Sequence, residues 1–232
     1  MIVDIFSSFD PATSFIFHSL SPSLFWSFTL LALSTIRASI WIASSRLTFI
    51  PFILVDNINN QTSRTFITHL KGFPIIIVSL FILLVTLNLF GLLPYVFSST
   101  GHLLFTLSFG LPLWFSLIIR GAVHSPKKFI AHLLPSGAPD WLNPFLVLIE
   151  TVRISVRFIT LSFRLAANIT AGHVVLGLIG AYTSAALFSS INSSILLLAT
   201  QSFFTTFELG VGLIQAYIFC LLLTLYSEDH PH

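Results

Sequence analysis

WLNPFLVLIETVRISVRFITLSFRLAANITAGHVVLGLIGAYTSAAL, from Trp141 to Leu187, is the stretch on which the fold turns. It is apolar almost throughout, yet it carries Glu150, Arg153, Arg157 and Arg164. About 20 helical residues already span the hydrocarbon of a bilayer, so this segment is too long for a perpendicular crossing. A steep tilt accommodates it. At about 100° per residue, Glu150, Arg153, Arg157, Arg164 and Asn168 fall on one helical stripe about 60° wide. Ile154, Phe158, Leu161, Leu165 and Val174 make the rest of the helix apolar.

The remaining sequence fits the same class. Of 232 residues, 55% are hydrophobic and 8% charged, where a soluble domain carries about 25% charged residues. Such a chain cannot cover a water-facing surface, and its apolar side chains must meet lipid as well as each other. Further spans are expected over about Phe15–Ile36, Phe73–Leu93, Leu103–Ile119 and Ser193–Tyr226. Residues from about Ile40 to Ile58 are amphipathic enough to lie at the interface. The expectation is an all-α polytopic membrane protein in one domain, residues 1–232, with about five membrane-embedded helices, the last two long and tilted, and an interfacial amphipathic helix.

Basic residues give an orientation. Arg37, Arg46, Arg64 and Lys71 lie between the first and second spans, and Arg120, Lys127 and Lys128 between the third and fourth. The connections around Phe97–Gly101 and Thr183–Asn192 hold none. The positive-inside rule puts the basic loops and the C-terminus on the cytoplasmic or matrix side, and the N-terminus opposite. The opening MIVDIFSSFDPATSF contains Asp4 and Asp10 but no Lys or Arg. It is unlike a signal or transit peptide, and the expectation is a mature N-terminus.

Several classes are excluded. A net charge of +2 without a basic cluster argues against nucleic-acid binding, and the single Cys220 has no partner for a disulfide or a CxxC metal site. No phosphate-cradling glycine motif, HExxH or G-x-S-x-G is present, so any nucleotide chemistry belongs to a partner and no cofactor is expected.

What remains are charges in apolar surroundings. A charge at the membrane centre costs roughly 2.5–3.5 kcal/mol on insertion scales, and such residues usually face a bundle interior or a wet cavity. Glu150 and Arg153 form an i,i+3 pair that partly neutralises itself. Arg164 has no acidic residue at helical pairing distance, so its partner lies elsewhere in the bundle or in another protein. In the last segment Gln201, Glu208 and Gln215 recur every seven residues and share a face, with Gly210 and Gly212 small enough to admit a neighbouring helix. His173 lies on a different face from Arg164 and has the ring chemistry of a proton relay. Structural readings stand beside these. Glu150 and Arg153 suit a boundary salt bridge, Arg157 a packing pair, Gln201 and Gln215 interhelical hydrogen bonds, and Asn88 helix glue. His173 alone suits a hydrogen-bonded packing role. Arg164 and Glu208 read as functional.

At these residues the sequence resembles the ATP synthase subunit a family, its mitochondrial members in particular. SFRLAANITAGHVVL (Ser162–Leu176) is similar to the family signature, TLNLFGLLPYVFSST (Thr86–Thr100) to its N-x-x-G-x-x-P element, and ELGVGLIQAYIFCLL (Glu208–Leu222) to its final helix. The opening FSSFDPATSF also resembles mitochondrial members, and the matches occur in the family's order. The resemblance implies a stator subunit in the mitochondrial inner membrane, N-terminus toward the intermembrane space. It implies a c-ring of rotor subunits, the peripheral-stalk subunit b, other Fo subunits and lipids as partners, and protons as cargo. It also implies that Arg164 faces the rotor carboxylate, that Glu208, His173 and Asn88 line an entry half-channel, and that Asn168 and Gln215 orient the arginine region. Glu150 then belongs to an exit half-channel. Two other readings of the buried charges are another proton-handling membrane protein and a passive assembly anchor.

Overall fold

A computed structural model describes residues 27, 46–64, 72–93, 96–124, 126–132, 142–188 and 190–228. Apart from Ser27, the predicted span Phe15–Ile36 lies outside them, as do the start of the interfacial segment, Arg37 and Lys71. Among the described residues the secondary structure is helical, with no strand: α1 (Arg46–Thr62), α2 (Phe73–Gly91), α3 (Leu103–His124), α4 (Pro126–His132), α5 (Asn143–Leu187) and α6 (Ile191–Glu228), with a 3-10 turn at Ser99–Gly101. Phe73–Gly91, Leu103–Val123 and Ile191–Ser227 are each long and apolar enough to cross a membrane. The chain is a helical polytopic membrane protein.

Element ends follow local chemistry. Gly72, at φ +86°, supplies the left-handed residue from which α2 starts, a conformation that side chains with a Cβ resist. Pro74 then sits in the first turn, where its missing N–H is no loss. The third span runs past the predicted Ile119 to His124, because nothing in Arg120–His124 breaks a helix. The predicted connection Thr183–Asn192 is much shorter. Phe188 N–H donates to the Ala185 carbonyl (3.3 Å) and Ser190 N–H to that of Ala186 (3.1 Å), and α6 begins at once. At about 1.5 Å per residue, the 45 residues of α5 extend about 67 Å. That is more than twice a hydrocarbon core of about 30 Å.

The helices pack antiparallel along readable registers. Asn88 of α2 bonds the Gly212 carbonyl of α6, and Cys220 Sγ approaches the Ile77 carbonyl at 3.9 Å. On α3, Trp114 packs on Phe158 of α5 (4.7 Å between rings), and the Ser162 hydroxyl reaches the Thr106 carbonyl at 3.5 Å. Ile77, Leu80, Phe81, Leu84 and Val85 of α2 form the core with Leu161, Leu165, Ala216, Phe219 and Leu223. Their spacing of three and four residues is helical. Outside that core α2 is still apolar, with Ile75 75% exposed, as expected of a helix that meets lipid. The amphipathic segment persists to Thr62, burying Ile58 and Thr62 while Asp56, Asn57, Asn59 and Asn60 stay exposed. Its Gln61 amide donates to the Tyr217 hydroxyl on α6.

The α3–α5 contact depends on Gly110, where a Cβ would lie 2.5 Å from Ser162 Oγ. Overpacking of this kind costs about 1–3 kcal/mol. Gly110→Ala is therefore expected to lower the thermal midpoint of the detergent-solubilised complex, and adding Ser162→Ala to restore it. An unchanged midpoint in the single variant would show that Ser162 simply rotates away.

Candidate functional site

Asn168, Gln201, Glu208 and Gln215, four of the polar residues singled out in the sequence, lie along the seam between α5 and α6. Three contacts tie that seam together at successive heights. The Asn168 amide donates to Gln215 Oε1 at 2.9 Å, and the Thr183 hydroxyl to Gln201 Oε1 at 3.4 Å. Between them Gly172 lies against Glu208, so close that any Cβ on Gly172 would overlap the carboxylate. Gln201, Glu208 and Gln215 thus all face α5, as a seven-residue repeat on one antiparallel partner requires. Glu208 is 4% exposed and Gln215 also 4%.

Glu208 sits in the interior of the bundle. Its Oε1 is buried without a hydrogen-bond partner among the described residues, and so is Oδ1 of Asn88. Asn88 itself is 1% exposed and commits its amide N–H to the Gly212 carbonyl at 3.0 Å. It therefore glues α2 to α6 one helical turn from Glu208, with its oxygen still available. Gly212 lies against Asn88, where a Cβ would be in ordinary van der Waals contact with Asn88 Cβ at 3.5 Å, whereas Gly210 faces open space. His173 follows Gly172 and is partly buried.

Arg164 has the opposite setting. It is exposed on α5 and makes no hydrogen bond or ion pair among the described residues. It lies eight residues from Gly172, about 12 Å along the axis, and about 80° around it. His173 lies nearly diametrically across the helix from Arg164 by the same count. One long helix therefore turns a guanidinium outward and receives a carboxylate inward. Ala167 and Ala171, the small neighbours of Arg164 on that face, are exposed.

Toward the start of α5 the polar stripe divides. Arg153 pairs with Glu150 at 3.3 Å, with its side chain 63% exposed against 22% for the carboxylate. Arg157 stacks over the Tyr226 ring, 5.1 Å from its centroid, a cation–π contact that sequence spacing within one helix has no means of revealing. Glu150 thus lies well away from Glu208, about half the length of α5 from Gly172. Thr183, Gly172 and Tyr226 were not singled out as partners by the sequence. Their only signal is the common antiparallel register with α6, which Gln201, Glu208 and Gln215 define once a single contact is known. Among the described residues no group of three His, Cys, Asp or Glu side chains is placed to hold a metal ion.

Comparison with known proteins bears on this arrangement. Residues 16–228 match the model of a family described as ATP synthase A chain. The chain is 38% identical to ATP synthase subunit a of Locusta migratoria, over 99% of both chains. It is 38% identical to that of Drosophila melanogaster over 99% of both. It is 34% identical to that of Artemia franciscana over 99% of this chain and 100% of the relative.

Proposed function

The chain belongs to the ATP synthase A chain family, and from that premise we propose that it is the proton-conducting stator subunit of a mitochondrial F-type ATP synthase. In this reading it lies in the inner membrane among the other Fo subunits, with its N-terminus toward the intermembrane space. It meets a rotating c-ring and the peripheral-stalk subunit b. The observation that carries the proposal is the division of labour on α5. Arg164 is exposed beside Ala167 and Ala171 and makes no hydrogen bond or ion pair among the described residues, while Glu208 is buried against Gly172 on another side of the same helix.

The mechanism follows from electrostatics. Protons enter along Asn88, His173 and Glu208 and neutralise a carboxylate on the rotor. The neutral carboxyl crosses lipid as the ring turns, which a carboxylate does only at a cost of several kcal/mol. Near Arg164 the cation favours the ionised form, and the proton leaves toward the exit side past Glu150. Arginine holds its own proton too firmly to pass it on, so Arg164 also keeps the two half-channels from short-circuiting. The Asn168–Gln215 pair sits one turn from Arg164 and fixes the α5–α6 seam there. A proton crossing 100 mV delivers only about 2.3 kcal/mol. Several must pass for each ATP, which calls for a rotor rather than a single gate.

Glu208→Gln tests this reading. The amide is nearly isosteric and uncharged, so the complex is expected to assemble. ATP-driven acidification of inverted membrane vesicles is expected to fall by about a hundredfold, the scale on which a positioned acid–base group contributes. Normal acidification with Glu208→Gln would leave this chain an assembly anchor.

A further inference from the structure

We propose that Thr100, in the buried 3-10 turn between α2 and α3, is a positioning residue that holds water on the route to Glu208. The inference rests on the proposed role of Glu208. It starts from burial. Ser98, Ser99 and Thr100 are 4%, 2% and 0% exposed, although all three are polar and lie in a connection between helices. Connections usually run over the surface because their polar groups need water. This one is instead packed against α2, α3 and α5. Thr100 Oγ1 is buried and makes no hydrogen bond among the described residues. Leaving such a hydroxyl unpaired costs about 1–3 kcal/mol, whereas a buried water typically satisfies about three such groups at once.

Two independent registers bring the turn level with Glu208. On the α2–α6 side, Asn88 meets Gly212, so one further helical turn brings Gly91 and Leu92 opposite Glu208. Gly91 packs directly on Ser98, with a Cβ there lying 3.5 Å from Ser98 Cβ. On the α3–α5 side, Trp114 meets Phe158 and Thr106 meets Ser162, so the chain just before α3 reaches the level of Gly172. Gly172 is the residue that touches Glu208. Thr100 Oγ1, Asn88 Oδ1 and Glu208 Oε1 therefore come from three different elements to within about one helical turn of the same height, each without a hydrogen-bond partner among the described residues.

Their chemistry is complementary to water. Asn88 Oδ1 and an ionised Glu208 accept hydrogen bonds, while the threonine hydroxyl donates one and accepts others. Water held by Thr100 and Asn88 donates to Glu208. A proton arriving on that water from the aqueous side is matched by one leaving it for the Glu208 carboxylate, and Thr100 keeps its own proton throughout.

The test uses the assembled complex in membrane vesicles, reading ATP-driven proton pumping and ATP hydrolysis. Thr100→Val removes the hydroxyl at nearly constant volume and is expected to slow pumping by about tenfold, the equivalent of one lost hydrogen bond. Thr100→Ser restores the hydroxyl and is expected to pump within about twofold of the parent. Thr106→Val is the packing control. Thr106 is also buried, but its hydroxyl is bonded within α3 to the Leu103 carbonyl at 3.0 Å, so pumping should be unaffected. Thr100→Cys, in a Cys220→Ser background, extends the test to any case in which the valine variant fails to assemble. A small hydrophilic thiol reagent is expected to modify Cys there and block pumping. Parent-like pumping by Thr100→Val, or an unreactive thiol, overturns the inference. Loss of pumping in Glu208→Gln alongside parent-like Thr100→Val would remove this inference alone, whereas parent-like pumping in both would remove the proposed function as well.

Discussion

Arg164→Gln is expected to abolish ATP-driven proton pumping, by at least about a hundredfold, while leaving the complex assembled. The two halves of that expectation have separate grounds. Assembly survives because Arg164 makes no hydrogen bond or ion pair within the described chain, so glutamine breaks no contact there. Its removal from apolar surroundings even relieves an insertion cost of roughly 2.5–3.5 kcal/mol. Pumping fails because no other exposed cation on this part of α5 can favour the ionised form of a passing carboxylate. Arg157 is engaged with the Tyr226 ring, and Arg153 with Glu150.

Arg164→Lys separates charge from permanence of charge. A lysine ammonium gives up its proton readily when desolvated, whereas a guanidinium does not. The lysine variant is expected to pump weakly and to leak protons when ATP is absent. Vesicles carrying a pH-sensitive dye read both rates. Full pumping by the glutamine variant would make Arg164 a lipid-facing or structural residue and would remove the rotor contact from the mechanism. A tight, non-leaking lysine variant would leave the rotor contact standing but not the leak-barrier role.

The reading of sequence alone went furthest where one helix contained the whole pattern. The stripe Glu150, Arg153, Arg157, Arg164, Asn168 and the repeat Gln201, Glu208, Gln215 are both visible from 100° steps along a single element. The structure lays Asn168 and the three repeat residues along one seam and leaves Arg164 exposed. Helix class was legible because lipid removes the usual need for a polar face. Boundaries were less so, since the Phe188–Ser190 turn is closed by backbone hydrogen bonds to Ala185 and Ala186 that leave no mark in composition. Partners across helices were not legible at all. Gly172 looks like any small residue in an apolar helix until α6 brings Glu208 against it. Thr100 looks like part of a solvated loop until α2, α3 and α5 close around it. The spacing of residues on one helix says which face they share, but not which of several faces meets which, nor at what height.

Gly172 carries the second large expectation. In a helix interior, alanine is worth about 1 kcal/mol more than glycine by propensity, so Gly172→Ala in an open position would stabilise α5. Here the added methyl would occupy the volume of the Glu208 carboxylate, and overpacking costs about 1–3 kcal/mol. Strain therefore outweighs propensity, and Glu208, as the movable partner, is pushed out of the seam. The expected result is an assembled complex with a modestly lowered thermal midpoint and pumping reduced by about tenfold or more, because misplacement of a proton-transfer group by about 1 Å is already costly. Shortening the displaced partner should compensate. In the double variant Gly172→Ala with Glu208→Asp, the carboxylate withdraws by one methylene and room for the methyl returns. A double-mutant cycle is then expected to give strong coupling between the two positions, since residues in direct contact do not behave additively. Additive losses, or parent-like pumping by Gly172→Ala alone, would mean that the carboxylate moves freely in the seam and that its place against α5 has no part in proton transfer.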